Sequence, residues 1–122
     1  MTETKLTLNS LDPELKSAVS AAQEKKAADI VVLDLRGLAS FTDFFLITTG
    51  TSHRQIKSIA DEVERSLRSM KRRPSHVESF PRGEWILMDY MDFVVHVFTP
   101  TSREYYDLER LWGDAQKIAV AS

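Results

Sequence analysis

Two short runs constrain this 122-residue chain most: residues 30–35, Ile-Val-Val-Leu-Asp-Leu, and residues 44–49, Phe-Phe-Leu-Ile-Thr-Thr. Both are rich in β-branched and aromatic residues, and they end near Gly37 and at Gly50. Successive side chains of a strand point to opposite faces, so a run that is apolar on both alternations has to be covered on both sides. The chain therefore needs a sheet with these two strands in its interior and other elements packed above and below.

Helical patterns supply the cover. Asp12-Pro13-Glu14 reads as an N-cap, a first-turn proline and a first-turn acid, followed by Leu15, Val19 and Ala22 on one stripe. Ser52 to Gln55 has capping-box spacing, and Ile56, Ile59, Ala60, Val63, Leu67 and Met70 then form a continuous apolar stripe. On its wet side Asp61/Arg65 and Glu64/Arg68 are spaced as four-apart ion pairs. Pro74 forbids continuation beyond Lys71, Arg72 and Arg73.

Residues 76–79 are a short candidate strand, and Pro81-Arg82-Gly83 is a turn. Residues 84–90 and 93–99 read as a tight hairpin bent at Met91 and Asp92. Pro100 ends the second strand, Thr101 to Glu104 repeats capping-box spacing, and the last helix runs to Gly113 with Tyr105, Leu108 and Trp112 on one side. The order α-β-β-α-(β)-β-β-α predicts one α/β domain over residues 1–122, a mixed β-sheet with packed helices. Residues 1–10 and 114–122 are expected to be loosely ordered.

Composition removes several function classes. There is no cysteine, which excludes disulfides, thiolate metal sites and thiol nucleophiles. Sixteen basic and eighteen acidic residues leave a net charge of −2, so no global field draws the chain to nucleic acid. No apolar run approaches the roughly 20 residues of a membrane span. The first ten residues have neither a signal-peptide nor a transit-peptide pattern, so a cytoplasmic location is expected.

Catalytic constellations are equally sparse. Thr48-Thr49-Gly50-Thr51-Ser52 is a strand-to-helix turn that lacks the lysine and further glycines of a phosphate loop, so it reads as a Gly-permitted turn with a Ser cap. The order of elements and this turn resemble nucleotidyltransferases, which hold metal ions with carboxylates two apart on a strand. Here Asp89 and Asp92 are three apart across a bend, and the strand beyond offers Val94, His96 and Phe98. No catalytic residue, metal ligand or cofactor site is assigned. His96, in an apolar strand, is expected to be a hydrogen-bonded structural residue. Arg65, Arg68, Lys71, Arg72 and Arg73 form the basic cluster, read as a solvated helix end with at most a secondary phosphate contact.

The hairpin is the informative segment. Trp85, Leu87 and Asp89 alternate to one face, and Ile86, Met88 and Tyr90 to the other. Either both faces are core, or one presents aromatics, methionine and acids as a recognition surface. Pattern alone leaves both readings open.

Five blocks together resemble the ribosomal silencing factor S family, also called RsfS, YbeB or iojap. They are Asp29 through Leu35; Thr42-Asp43-Phe44 with Thr49-Gly50-Thr51-Ser52; Gly83-Glu84-Trp85 with Asp89; Asp92 with Val95-His96-Val97-Phe98; and Arg103 through Trp112. The resemblance implies a nucleotidyltransferase-like fold without its catalytic carboxylates. It also implies a non-enzymatic role: binding the large ribosomal subunit through ribosomal protein L-fourteen, blocking the joining of the small subunit, and repressing translation in nutrient limitation. Carried over by residue, it makes Trp85, Met88, Asp89, Tyr90, Met91, Asp92 and Tyr106 the expected partner-binding set. Arg68, Lys71, Arg72 and Arg73 remain for a secondary ribosomal RNA contact, and a homodimer is implied in the free state. A nucleotide- or phosphate-binding enzyme of nucleotidyltransferase-like fold is the alternative.

Overall fold

The structure, a computed structural model, describes Thr7 and residues 10–120. A six-stranded sheet runs in the order β3-β4-β5-β2-β1-β6. The strands are β1 (Ala28–Asp34), β2 (Phe44–Thr49), β3 (His76–Ser79), β4 (Trp85–Asp89), β5 (Phe93–Phe98) and β6 (Gln116–Val120). β2 and β5 pair in parallel and the other neighbours are antiparallel. The two runs that are apolar on both alternations therefore hold interior places, as their composition requires.

One face is covered by α1 (Pro13–Glu24) and α2 (His53–Arg68). Leu15, Ala18, Val19, Ala21 and Ala22 of α1 and Ile56, Ile59, Ala60, Val63 and Leu67 of α2 are buried there against Val32, Leu46, Met88 and Val95. At the start of α2, Ser52 Oγ accepts from the amide of Gln55 at 3.1 Å. The Gln55 side chain does not return to the cap residue. It accepts from the Thr51 amide at 2.7 Å and donates to the carbonyls of Lys25 and Lys26, stitching the end of α1 to the start of α2. Gly50 is needed because a Cβ there would lie 3.0 Å from Ile56 Cγ1 and 3.1 Å from the Ile56 amide nitrogen. The turn is a close approach of strand to helix, which accords with its reading as structural.

Several expectations change. α2 ends at Arg68: Lys71 takes a left-handed conformation (φ 63°) and Arg72 N donates to Leu67 O at 2.9 Å, closing the helix so that Met70 falls off the buried stripe and is 39% exposed. The ion pairs on its wet side are Lys57–Asp61 and Arg65–Glu62, in place of Asp61/Arg65 and Glu64/Arg68. The last capping box lies two residues earlier than its spacing suggests. Thr99 Oγ1 accepts from the Ser102 amide and Ser102 Oγ accepts from the Thr99 amide, each at 3.1 Å, and Pro100 opens the helix as its first residue. That helix is broken at Asp107 (φ 49°) into α3 (Pro100–Tyr106) and α4 (Leu108–Leu111), which leaves Tyr105 80% exposed instead of packed beside Leu108 and Trp112.

The C-terminal segment is also more ordered than expected. Residues 116–120 pair with the free edge of β1, with Ile118 opposite Val32 and Val120 opposite Ile30, so backbone groups that would otherwise be unpaired on both segments satisfy one another. The expectation for residues 1–10 falls almost wholly outside the described residues.

A candidate protein-binding face

The second face of the sheet is built from the opposite alternation. Trp85 is opposite Phe98, Leu87 opposite His96 and Asp89 opposite Val94, and the parallel register places Phe45 and Ile47 of β2 beside Val94 and His96. Val31, Leu33, Leu35, Phe45, Ile47, Val94 and Phe98 are buried on this side, with Trp85, Leu87, Leu108 and Trp112 half-covered against them. The short helices α3 and α4 cover this face only in part, where α1 and α2 close the other.

The result is a chain of aromatic contacts across an incompletely covered surface. Phe80 stacks on Trp85 at 4.2 Å and 12°, because the Pro81–Gly83 turn folds the chain back on itself. Trp85 lies 4.6 Å from Tyr106 and 4.9 Å from Phe98. Farther along, His96 meets Phe45 edge-on at 4.4 Å, and Phe45, Phe41 and Trp112 form a triangle with centroids 6.0 to 6.3 Å apart. Phe41, Tyr105, Tyr106 and Leu111 are exposed. Exposed aromatics packed beside a rigid sheet, here from a loop and the short helices, have the composition of an interface core.

His96 holds the middle of this array. It is buried, and Trp85 Nε1 donates to its Nδ1 at 3.2 Å, which puts the imidazole proton on Nε2. Burial lowers its pKa to about 3, so the ring is a neutral acceptor. The expected structural, hydrogen-bonded role is met at Nδ1 only, since the buried Nε2 has no hydrogen-bond partner among the described residues.

The expected binding set divides between the two faces. Trp85 and Asp89 belong to the second face, and Tyr106 borders it at 42% exposure. Met88 and Tyr90, each 1% exposed, belong to the core under α1 and α2 and present no side chain to a partner in this conformation. Strand alternation, as it must, sends Trp85 and Tyr90 opposite ways, and the helices land on the Tyr90 side. Burial, aided by Glu64, pushes the Tyr90 phenol up to about 12.

Met91 sits at the hairpin tip, 62% exposed with φ 74°, and the Asp92 amide donates to Tyr90 O across it at 2.9 Å, a γ-turn of the strained hand. The bend is held from outside. Thr42 Oγ1 donates to Met91 O at 2.9 Å, Asp43 N donates to Asp92 O at 3.0 Å, and Asp89 Oδ1 accepts from the Met91 amide at 2.8 Å.

Within the basic cluster Arg72 is engaged by the fold. Arg72 pairs with Glu14 at 2.9 Å and Asp92 at 3.3 Å and donates to Tyr90 O, tying α1 and the hairpin to the end of α2. Arg72 is thus a strut, and it partly neutralises Asp92. Arg68, Lys71 and Arg73 lie by the same end of α2. Phe80, Phe41, Phe45 and Tyr105 were not among the expected site residues. The one sequence signal was Phe80, five residues before Trp85 across a Pro-Arg-Gly turn.

Comparison with known proteins finds similarity along nearly the whole chain. Residues 8–122 match the family described as ribosomal silencing factor during starvation. The chain is similar to ribosomal silencing factor RsfS of Bacillus subtilis strain 168, at 42% identity over 101 residues, covering 83% of this chain and 86% of that protein. It is similar to the RsfS of Halalkalibacterium halodurans at 39% identity over 106 residues, covering 87% of this chain and 91% of that protein. A crystal structure of a Chromobacterium violaceum protein superposes with a TM-score of 0.80 at 36% identity, covering 96% of this chain and 94% of that one.

Proposed function

The chain belongs to the ribosomal silencing factor family, and we propose that it binds the large ribosomal subunit through ribosomal protein L-fourteen and sterically blocks joining of the small subunit, repressing translation in nutrient limitation. It acts as a binding protein without catalysis, in the cytoplasm. The observation that carries this reading is the half-covered aromatic face around Trp85, supported by buried His96 and bordered by Tyr106, Tyr105 and Phe41. A face of this kind loses water on contact and offers rigid anchors. Trp85, Tyr106, Asp89 and Met91 are the residues proposed to meet the partner, with Asp92 at the margin. Met88 and Tyr90 contribute by fixing the strand from beneath. The same apolar surface favours a homodimer when the partner is absent.

The direct test is co-sedimentation with purified large subunits through a sucrose gradient. The protein is expected to travel with the subunit and to reduce its association with small subunits, and Trp85→Ala is expected to release it by at least tenfold. Protein that stays at the top of the gradient while a control ribosomal ligand sediments would refute the proposal. A charge reversal at Arg68 and Arg73 separates protein from RNA recognition: if it abolishes binding with a steep salt dependence and Trp85→Ala does not, the phosphate contact is the main one.

A further inference from the structure

We infer that the cleft between the start of β4 and α3 is a subsite for one arginine side chain of a protein partner. This deepens the proposed function and rests on it only for the identity of that partner. The cleft has a volume of about 250 Å³ and is lined by Glu84, Thr101, Ser102, Tyr105 and Tyr106. The rings of Tyr105 and Tyr106 stand perpendicular, 88° apart with centroids at 5.0 Å. Tyr106 leans on Trp85, but Tyr105 is 80% exposed and its one ring contact among the described residues is with Tyr106. An exposed aromatic of this size is more readily explained by what it contacts from outside than by the fold it belongs to.

Charge selects the occupant. Glu84 makes no ion pair among the described residues. Its main chain is fixed, because Glu84 O accepts from Ser102 Oγ at 2.5 Å and from the Thr99 amide at 3.1 Å. Arg103, beside Ser102, points elsewhere: it donates to Asp29 O at 2.5 Å, to Thr49 Oγ1 at 2.8 Å and to Glu109 at 3.0 Å, and Arg82, two residues before Glu84, makes no ion pair with it. Among the described residues Glu84 is the one charged residue that lines the cleft, and Glu109 on the neighbouring helix is already paired with Arg103. A planar guanidinium satisfies both features of the cleft, since it stacks on an aromatic face and donates two hydrogen bonds to a carboxylate. A neutral apolar side chain would leave Glu84 desolvated without a partner.

The test needs no ribosome. The tripeptide Gly-Arg-Gly is titrated into the isotopically labelled protein and followed by NMR, with Gly-citrulline-Gly as the uncharged isostere and Gly-Lys-Gly as the ammonium control. Saturable shifts are expected at Glu84, Thr101, Tyr105 and Tyr106 with the arginine peptide, at roughly millimolar affinity. The citrulline peptide is expected to bind at least fivefold more weakly, as is the arginine peptide to Glu84→Gln or Tyr105→Ala. Equal binding of citrulline, stronger binding of lysine, or shifts that map elsewhere would overturn the subsite. If Gly-Arg-Gly binds as expected but the protein does not sediment with large subunits, the subsite stands and the ribosomal reading falls. If the protein sediments and Glu84→Gln neither binds the peptide nor loses sedimentation, the cleft is not part of that interface and the inference about the partner fails.

Discussion

Trp85 and His96 sit in neighbouring antiparallel strands and are joined by a hydrogen bond from the indole Nε1 to the imidazole Nδ1 at 3.2 Å. The bond links the largest anchor of the half-covered face to a ring that is 3% exposed. It fixes the indole against Phe80 and Tyr106, and so pre-organises the face before any partner arrives. His96→Phe keeps a ring in the site and removes the acceptor. Ribosome affinity is expected to fall about three- to tenfold, equivalent to roughly 1 kcal/mol for one hydrogen bond, while Trp85→Ala falls further. Binding isotherms on the two variants, with circular dichroism to confirm folding, provide the check.

The same histidine sets a pH dependence. Its pKa is about 3 in the folded chain against an ordinary 6.5, because burial disfavours the imidazolium. Below pH 6.5 the unfolded chain takes up a proton that the folded chain refuses. The contribution to stability is therefore full above 6.5 and declines as pH falls toward 3, by about 1.4 kcal/mol per pH unit once the unfolded histidine is charged. Urea denaturation at pH 7, 6, 5 and 4 should show His96→Phe with a shallower slope than the parent chain. Equal slopes would mean that His96 is protonated in the folded state.

Gly50 is expected to resist substitution. Its φ is unremarkable, but an added Cβ would press on Ile56 through both side chain and backbone, at 3.0 and 3.1 Å. The backbone cannot yield without moving the start of α2. Gly50→Ala should destabilise the protein by about 1–3 kcal/mol, measured as a shift of the denaturation midpoint without a change of slope.

Arg72 and Arg73 are neighbours with different fates. Arg72 holds Glu14 and the Tyr90 carbonyl at a position one-quarter exposed, whereas its pair with Asp92 is more open to water and contributes less. Arg72→Ala is expected to cost about 1–2 kcal/mol, since a carbonyl and a carboxylate lose their donor. Arg73→Ala should stay within about 0.5 kcal/mol of the parent. Equal effects from the two substitutions would show that the strut carries no stability.

Much of the fold was legible in local pattern. The doubly apolar runs at 30–35 and 44–49 demanded interior strands, the stripe from Ile56 to Leu67 demanded a covering helix, and the hairpin bend fell at Met91 and Asp92. Sequence misjudged the start of the last helix and the C-terminal segment. Spacing pointed to Thr101 as the cap of the last helix, but Thr99 holds that place, because Pro100 serves as the first helical residue. Residues 116–120 looked unstructured because their order comes from the unpaired edge of β1, which is distant in sequence.

The division within the site shows where sequence stops. Alternation alone fixed that Trp85, Leu87 and Asp89 share one face and Ile86, Met88 and Tyr90 the other. Only the tertiary structure decided that α1 and α2 cover the Tyr90 face, while α3 and α4 leave the Trp85 face half open. The physical reason is that side-chain direction along a strand is set by neighbouring dihedral angles, whereas the choice of buried face depends on where helices far along the chain come to rest.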